Sequence, residues 1–167
     1  MNSPAGIADA AADHRAAYVH IPFCHRRCPY CDFAVVEMAE QASSVDRYVR
    51  AVVAEIEMEA PWDVLHAVNF GGGTPSVLRA DQVKQILDAL VERFGLVPGA
   101  EISIEANPED WGAEYAESLR AIGVNRVSLG VQSFDDQVLQ GLGRVHTSQE
   151  SRRAIDHARS AGVVEMG

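Results

Sequence analysis

Three cysteines, Cys24, Cys28 and Cys31, fall within the short string Cys24-His25-Arg26-Arg27-Cys28-Pro29-Tyr30-Cys31. An odd, tightly clustered set is a poor disulfide framework and a reasonable set of metal ligands. Thiolates on one loop can converge on a single inorganic centre, and their softness selects zinc or iron-sulfur over hard cations. A 4Fe-4S cluster held by only three cysteines keeps one iron open to a small molecule. A structural zinc would want a fourth protein ligand. His25 is the nearest candidate, but it lies inside the ligand loop, and the chain has no second cysteine pair. Iron-sulfur, zinc and plain buried thiols all remain readings of this spacing, and a fourth ligand is the deciding fact. His25, Arg26 and Arg27 would favour thiolates electrostatically.

Three further segments carry chemistry. Gly71-Gly72-Gly73-Thr74-Pro75-Ser76 lets backbone N–H and carbonyl groups approach a ligand, or simply makes a tight strand-to-helix turn. It is neither a P-loop, lacking the Gly-Lys-Ser/Thr, nor a dinucleotide fingerprint, which Pro75 and Ser76 spoil. Glu105, in Glu105-Ala106-Asn107-Pro108, can accept hydrogen bonds from an amine or ribose hydroxyls, although a solvated loop acid is the ordinary explanation. Gln132, in Gly130-Val131-Gln132-Ser133, can donate and accept, or merely close a loop. Arg144, in Gly143-Arg144-Val145-His146, would alone be read as a surface charge.

These segments share a position in the pattern of elements. Tyr18 to Ile21, Ala67 to Phe70, Ile102 to Glu105 and Val124 to Val131 read as strands, hydrophobic enough to suggest burial on both faces. Val45, Val49, Val52 and Ile56 recur at helical spacing, as do Val83, Ile86, Leu87, Leu90 and Phe94, and Tyr115, Leu119 and Ile122 mark a third helix. Gly95 and Gly123 sit where C-terminal caps belong. Thr147 and Glu150 form a capping box that opens a helix ending near Gly162. The order is β-α four times over. It implies an α/β fold with a parallel sheet, either doubly wound or a complete or partial (β/α) barrel. Both architectures place chemistry after the C-terminal ends of strands, where the cysteine loop, the glycine triplet, Glu105 and Gln132 lie.

Composition narrows the function. The 167 residues are 47% hydrophobic, enough for a core, and the formal charge of −10 would repel a phosphate backbone, so nucleic acid is a poor partner. No run is long and apolar enough for a transmembrane segment, and the Ala-rich start lacks the apolar core of a signal peptide, which predicts a cytoplasmic protein. Residues 1–16 show no apolar period and read as a flexible leader. Trp62 and Trp111 read as packing residues, His14, His66 and His157 show no ligand spacing, and Met38, Met58 and Met166 are too scattered to argue haem ligation.

The longer string Tyr18-Val19-His20-Ile21-Pro22-Phe23-Cys24, continuing through Cys28-Pro29-Tyr30-Cys31-Asp32-Phe33, resembles the signature of the radical S-adenosylmethionine (SAM) superfamily. Within it, the string is similar to the oxygen-independent coproporphyrinogen III oxidase-like branch, and the likeness extends over nearly all of residues 18–162. It implies an incomplete radical SAM (β/α) barrel of about four β-α units with outer helices. Cys24, Cys28 and Cys31 would hold a 4Fe-4S cluster, and Tyr18, Tyr30, Gly72, Gly73, Thr74, Glu105, Gln132 and Arg144 would contact SAM. An electron from the cluster would cleave SAM to a 5-deoxyadenosyl radical.

Oxidases of the branch usually carry another cysteine two residues after the third, and here that position is Phe33. The resemblance therefore leans to the branch's haem chaperones, which bind haem and pass it to acceptor proteins. The alternative is an oxidase that converts porphyrinogen propionates to vinyl groups. Either needs an electron donor protein. The family continues into a fifth strand with an acidic SAM contact, whereas this chain reads Ala161-Gly162-Val163-Val164-Glu165-Met166-Gly167. The expectation is that residues 17–167 are the N-terminal part of the core domain, truncated before the fifth strand, with full activity in doubt. Four units would leave an open sheet edge prone to aggregation.

Overall fold

The computed structural model describes residues 15–38, 42–60, 63–163 and 165–166. Its main sheet is parallel throughout and runs in the order β1 (Ala16–Ile21), β4 (Leu65–Gly72), β5 (Leu96–Ala106), β6 (Arg126–Leu129), β7 (Glu165–Met166). A two-stranded parallel ladder of β2 (Phe23–Cys24) and β3 (Val36–Glu37) brackets the cysteine loop. The helices are α1 (Ala42–Met58), α2 (Ala80–Phe94), α3 (Ala113–Ala121), α4 (Asp136–Gly141) and α5 (Ser148–Ser160).

The strands are not buried on both faces. Their exposure alternates: Val19, Ile21, Val68, Phe70, Ile102, Ile104, Val127 and Leu129 are buried, while Tyr18, His20, Asn69, Glu105 and Ser128 are exposed or half-buried. The buried set shares one core with Val45, Val49 and Ile56 of α1, Val83 to Phe94 of α2, Ala116 and Leu119 of α3, and Ala154 and Ala158 of α5. Helices therefore pack the apolar face, and the polar face is left to line a site. A doubly wound sheet would need helices on both faces. One-sided cover makes this a segment of a (β/α) barrel wall, as the repeating β-α order allows.

Local signals explain most boundaries. Thr147 Oγ1 accepts the Glu150 N–H at 3.2 Å and Glu150 Oε2 accepts the Thr147 N–H at 2.7 Å, the capping box expected from the sequence. Gly95 ends α2 with φ 76°, a left-handed conformation that favours glycine. The third helix stops at Ala121, so Ile122 caps it, and Gly123 follows with φ 107°.

Three further features differ from the sequence expectation. The short α4 is additional, and Asp135 caps it by accepting the Gln137 and Val138 N–H groups at 2.8 and 3.2 Å. The sheet has a fifth position, where Glu165 and Met166 pair with Arg126 and Val127, so strand pairing reaches beyond the expected stop at four. Ala16 already belongs to β1, and the rest of the expected leader, apart from Arg15, lies outside the described residues.

Trp111 is 1% exposed and meets Tyr115 edge-on, with ring centroids 5.7 Å apart, so it is a packing residue as the sequence suggests. Trp111→Ala is expected to cost about 3–5 kcal/mol, read as a shift of the urea midpoint without a change of slope. Trp62 and His14 lie outside the described residues.

Candidate metal and cofactor site

Cys24 is buried at the end of β2, and Cys28 and Cys31 are half-buried on the loop that follows, where the Cys31 N–H bonds the Cys28 carbonyl at 3.0 Å. All three thiols line one cavity of about 250 Å³ at the C-terminal ends of the strands. Tyr30, Gly72, Gly73, Thr74, Glu105, Gln132 and Arg144 line the same cavity. Of the residues that the family likeness assigns to the cluster or to SAM, Tyr18 alone lies outside it. Tyr18 sits on β1 beside Gly71 and Glu105, with its hydroxyl 3.2 Å from His20 Nδ1, and it lines a neighbouring groove with Tyr48 and Glu55.

The glycine triplet is shaped by contact with the cysteine segment. A Cβ on Gly72, whose φ is 116°, would lie 2.7 Å from the His20 ring, and one on Gly73 would lie 2.7 Å from the Phe23 carbonyl and 2.9 Å from Cys24 Sγ. The amides here are not free for a ligand. Gly72 N–H donates to Glu105 Oε2 at 3.2 Å, Gly73 N–H to the Ile21 carbonyl at 2.8 Å and Thr74 N–H to the Phe23 carbonyl at 2.7 Å. The triplet therefore joins β4 to the cysteine segment and forms no anion cradle, which leaves carbonyls and Glu105 as acceptors for a cationic group.

Nor do all the expected basic neighbours face the thiols. His25 Nε2 pairs with Asp110 Oδ1 at 2.9 Å, and the Arg27 guanidinium donates to the Cys31 carbonyl at 3.1 and 3.2 Å. These side chains shape the loop. The cation that reaches a sulfur is Arg144, whose Nη1 lies 3.5 Å from Cys28 Sγ. Its side chain is 7% exposed, and Nη2 donates to Asn107 Oδ1 at 2.6 Å and to the Gly130 carbonyl at 3.1 Å. Its Nε is buried without a hydrogen-bond partner among the described residues.

Burial pushes the Cys24 thiol above its usual range, opposed by the Thr74 hydroxyl, which donates to Cys24 Sγ at 3.3 Å, and by Arg144. Burial likewise raises the Tyr30 phenol, helped by its hydrogen bond with Cys28. For Arg144 burial opposes the charge, but Cys28, Glu109 and Tyr30 together outweigh it and hold the guanidinium protonated. Gln132 adopts φ 61°, a strained left-handed conformation for a non-glycine residue, at the cavity wall.

Several residues of this region carry no signal in the sequence. Asn107 bridges Arg144 and Thr74. Glu109 Oε2 lies 3.0 Å from Nδ1 of the buried His146, whose Nε2 lies 3.1 Å from the Val131 carbonyl. Asp110 accepts from Ser76 Oγ at 2.9 Å besides pairing with His25. Burial raises the Asp110 carboxyl, while His25 and Ser76 oppose the rise. Elsewhere His157 bonds the Trp111 carbonyl at 3.1 Å, in keeping with a structural role.

The donor set fits an iron-sulfur centre. Three thiols share a cavity with a buried cation, and two of them receive side-chain hydrogen bonds, as thiolate ligands do. Among the described residues no three His, Cys, Asp or Glu side chains gather closely enough to hold a single metal ion. No described helix is long and apolar enough to cross a membrane.

Comparison with known proteins gives consistent results. The family model described as the Radical SAM superfamily matches residues 18–166. The haem chaperone HemW of Mycobacterium tuberculosis is 40% identical over 167 residues, covering 96% of this chain and 42% of that protein. The oxygen-independent coproporphyrinogen III oxidase of Paracoccus denitrificans is 32% identical, covering 89% of this chain and 34% of that protein. Among solved structures, coproporphyrinogen III oxidase (HemN) from Escherichia coli, a radical SAM enzyme, superposes with a TM-score of 0.81 at 31% identity, covering 92% of this chain and 36% of that one. The chain thus spans less than half the length of these relatives.

Proposed function

Because the chain belongs to the radical SAM superfamily, we propose that Cys24, Cys28 and Cys31 hold a 4Fe-4S cluster and that the cavity beside them binds SAM. The observation that carries this reading is the convergence of three thiols, Glu105 and Arg144 in one cavity beyond the strand ends. Residues 17–167 form the N-terminal part of the family's core domain, in a cytoplasmic protein of haem metabolism. Its task is that of a haem chaperone, binding haem and passing it to acceptor proteins. Support comes from the higher identity to the HemW relative than to the oxidase, and from Phe33, which lines the cavity where the oxidases of the branch carry a cysteine. The oxidase alternative is favoured by the superposition on HemN.

When bound, the cluster supplies the electron that cleaves the sulfonium of SAM. The chain's own residues bind and orient. Glu105 would accept hydrogen bonds from the amino group of the methionine part, beside a glycine floor whose amides are already used. The Arg144 guanidinium at the cavity wall would offer its charge to the carboxylate of the methionine part. Thr74 and Arg144 donate to the sulfurs of Cys24 and Cys28. Gln132 and Tyr30 line the wall and would contact the rest of SAM, and Tyr18 of β1 lies beside Glu105.

The test is anaerobic purification of the 167-residue chain followed by spectroscopy with added haem. Brown protein with a shifted Soret band, and no SAM-dependent release of carbon dioxide from coproporphyrinogen, is the expected result. Turnover of coproporphyrinogen without the Soret shift would transfer the assignment to the oxidase. Colourless protein with bound zinc would overturn the cluster itself.

A further inference from the structure

Two sulfur-directed hydrogen bonds, one to Cys24 and one to Cys28, meet at a single side chain. Asn107, at the end of β5, accepts from Arg144 Nη2 through Oδ1 at 2.6 Å and donates through Nδ2 to Thr74 Oγ1 at 3.4 Å. Its own N–H bonds Ser76 Oγ at 3.2 Å, which fixes the backbone beneath it. Oδ1 also packs against Gly130, where a Cβ would lie only 3.1 Å away, so the amide has little room to move.

The protons in this chain can point only one way. A guanidinium donates and never accepts, so the Asn107 atom facing Arg144 must be the oxygen. The amide nitrogen then faces Thr74 and must donate, which makes the Thr74 oxygen an acceptor there. Its single hydroxyl proton is left to point at Cys24 Sγ, 3.3 Å away. Meanwhile Arg144 Nη1 points at Cys28 Sγ. Both ends of the relay therefore present hydrogens to sulfur, an arrangement that stabilises thiolates more than thiols.

We infer that Asn107 is a positioning residue whose amide sets the direction of the Thr74 hydroxyl, and through it the reduction potential of the centre held by Cys24. This rests on the cluster reading above. A hydrogen bond withdraws charge from a ligand sulfur and stabilises the added electron, so losing one makes reduction harder. Asn107 need touch neither SAM nor sulfur to have this effect.

The test is a double-variant cycle read by redox titration of the SAM-free reconstituted protein, monitored by electron paramagnetic resonance, with iron content measured on every sample. Thr74→Val removes the hydroxyl and is expected to lower the potential, while Thr74→Ser keeps the parent value. Asn107→Asp retains the pairing with Arg144 but presents an oxygen to Thr74, so the hydroxyl turns to it and abandons Cys24. In the Asn107→Asp background, Thr74→Val is therefore expected to shift the potential by much less than in the parent. The charge added by the new carboxylate is common to both members of that pair and cancels. An equal Thr74→Val shift in both backgrounds, or none in the parent at full iron content, would overturn the inference while leaving the cluster reading intact. Parent protein with no iron would overturn both.

Discussion

Anaerobically prepared Cys28→Ala protein is expected to fold and to lose its iron, falling from roughly four irons and four sulfides per chain to well under one. Cys28 is half-buried on a loop, so removing its sulfur leaves no core void, and the cost in folding stability relative to the iron-free parent is expected to stay within about 1 kcal/mol. Two remaining thiolates cannot hold a cube that already has an open corner. Far-ultraviolet circular dichroism with iron and sulfide analysis on one sample separates the readings of the cysteine spacing. If the thiols were merely structural, the parent would carry no iron for the variant to lose. If they held zinc, Cys28→Ala would release zinc and the parent would show no charge-transfer absorbance. Arg144→Ala is informative beside it, because that change removes the donor to Cys28 Sγ and leaves all three cysteines in place.

The cysteines were legible because their spacing is local, and the helices because Val45, Val49 and Ile56, or Val83, Ile86 and Leu90, recur with the period of a helix facing a core. The one-sided sheet was legible in part. Arg126 and Ser128 alternate with Val127 and Leu129, but the apolar run around them masks the period. α4 carries one fully buried apolar side chain, Leu139, too little to announce a helix. The site network was not legible for a plain reason. Arg144 reaches Cys28 across 116 positions and His25 reaches Asp110 across 85, and no local pattern encodes a contact that only the stacking of strands creates. Glu105, Gln132 and Arg144 were nameable only through a family likeness. Asn107 lay in the same string as Glu105, yet its importance comes from Arg144 and Thr74, which belong to other loops.

The glycines behave differently from one another, and that difference makes the second large effect predictable. Gly73→Ala would place a methyl group 2.7 Å from the Phe23 carbonyl, 2.9 Å from Cys24 Sγ and 3.1 Å from the Ile21 carbonyl. Two of the three obstacles are backbone, so no rotamer change relieves them. Either the hydrogen bonds from Gly73 and Thr74 to the cysteine segment break, or Cys24 is pushed out of its position. Overpacking of this kind costs roughly 1–3 kcal/mol, and backbone obstacles put Gly73→Ala at the upper end. Iron content is expected to fall further than stability does, because the displaced atom is one of the three proposed ligands. Gly112→Ala is the control, since nothing lies within 4 Å of the added methyl and φ is −84°. There the change is expected to stay within about 1 kcal/mol, the loss of a better N-cap residue, with iron unchanged. Equal iron in the two variants would mean that the triplet is only a turn. It would then have no part in holding the cysteine segment where three sulfurs share one cavity.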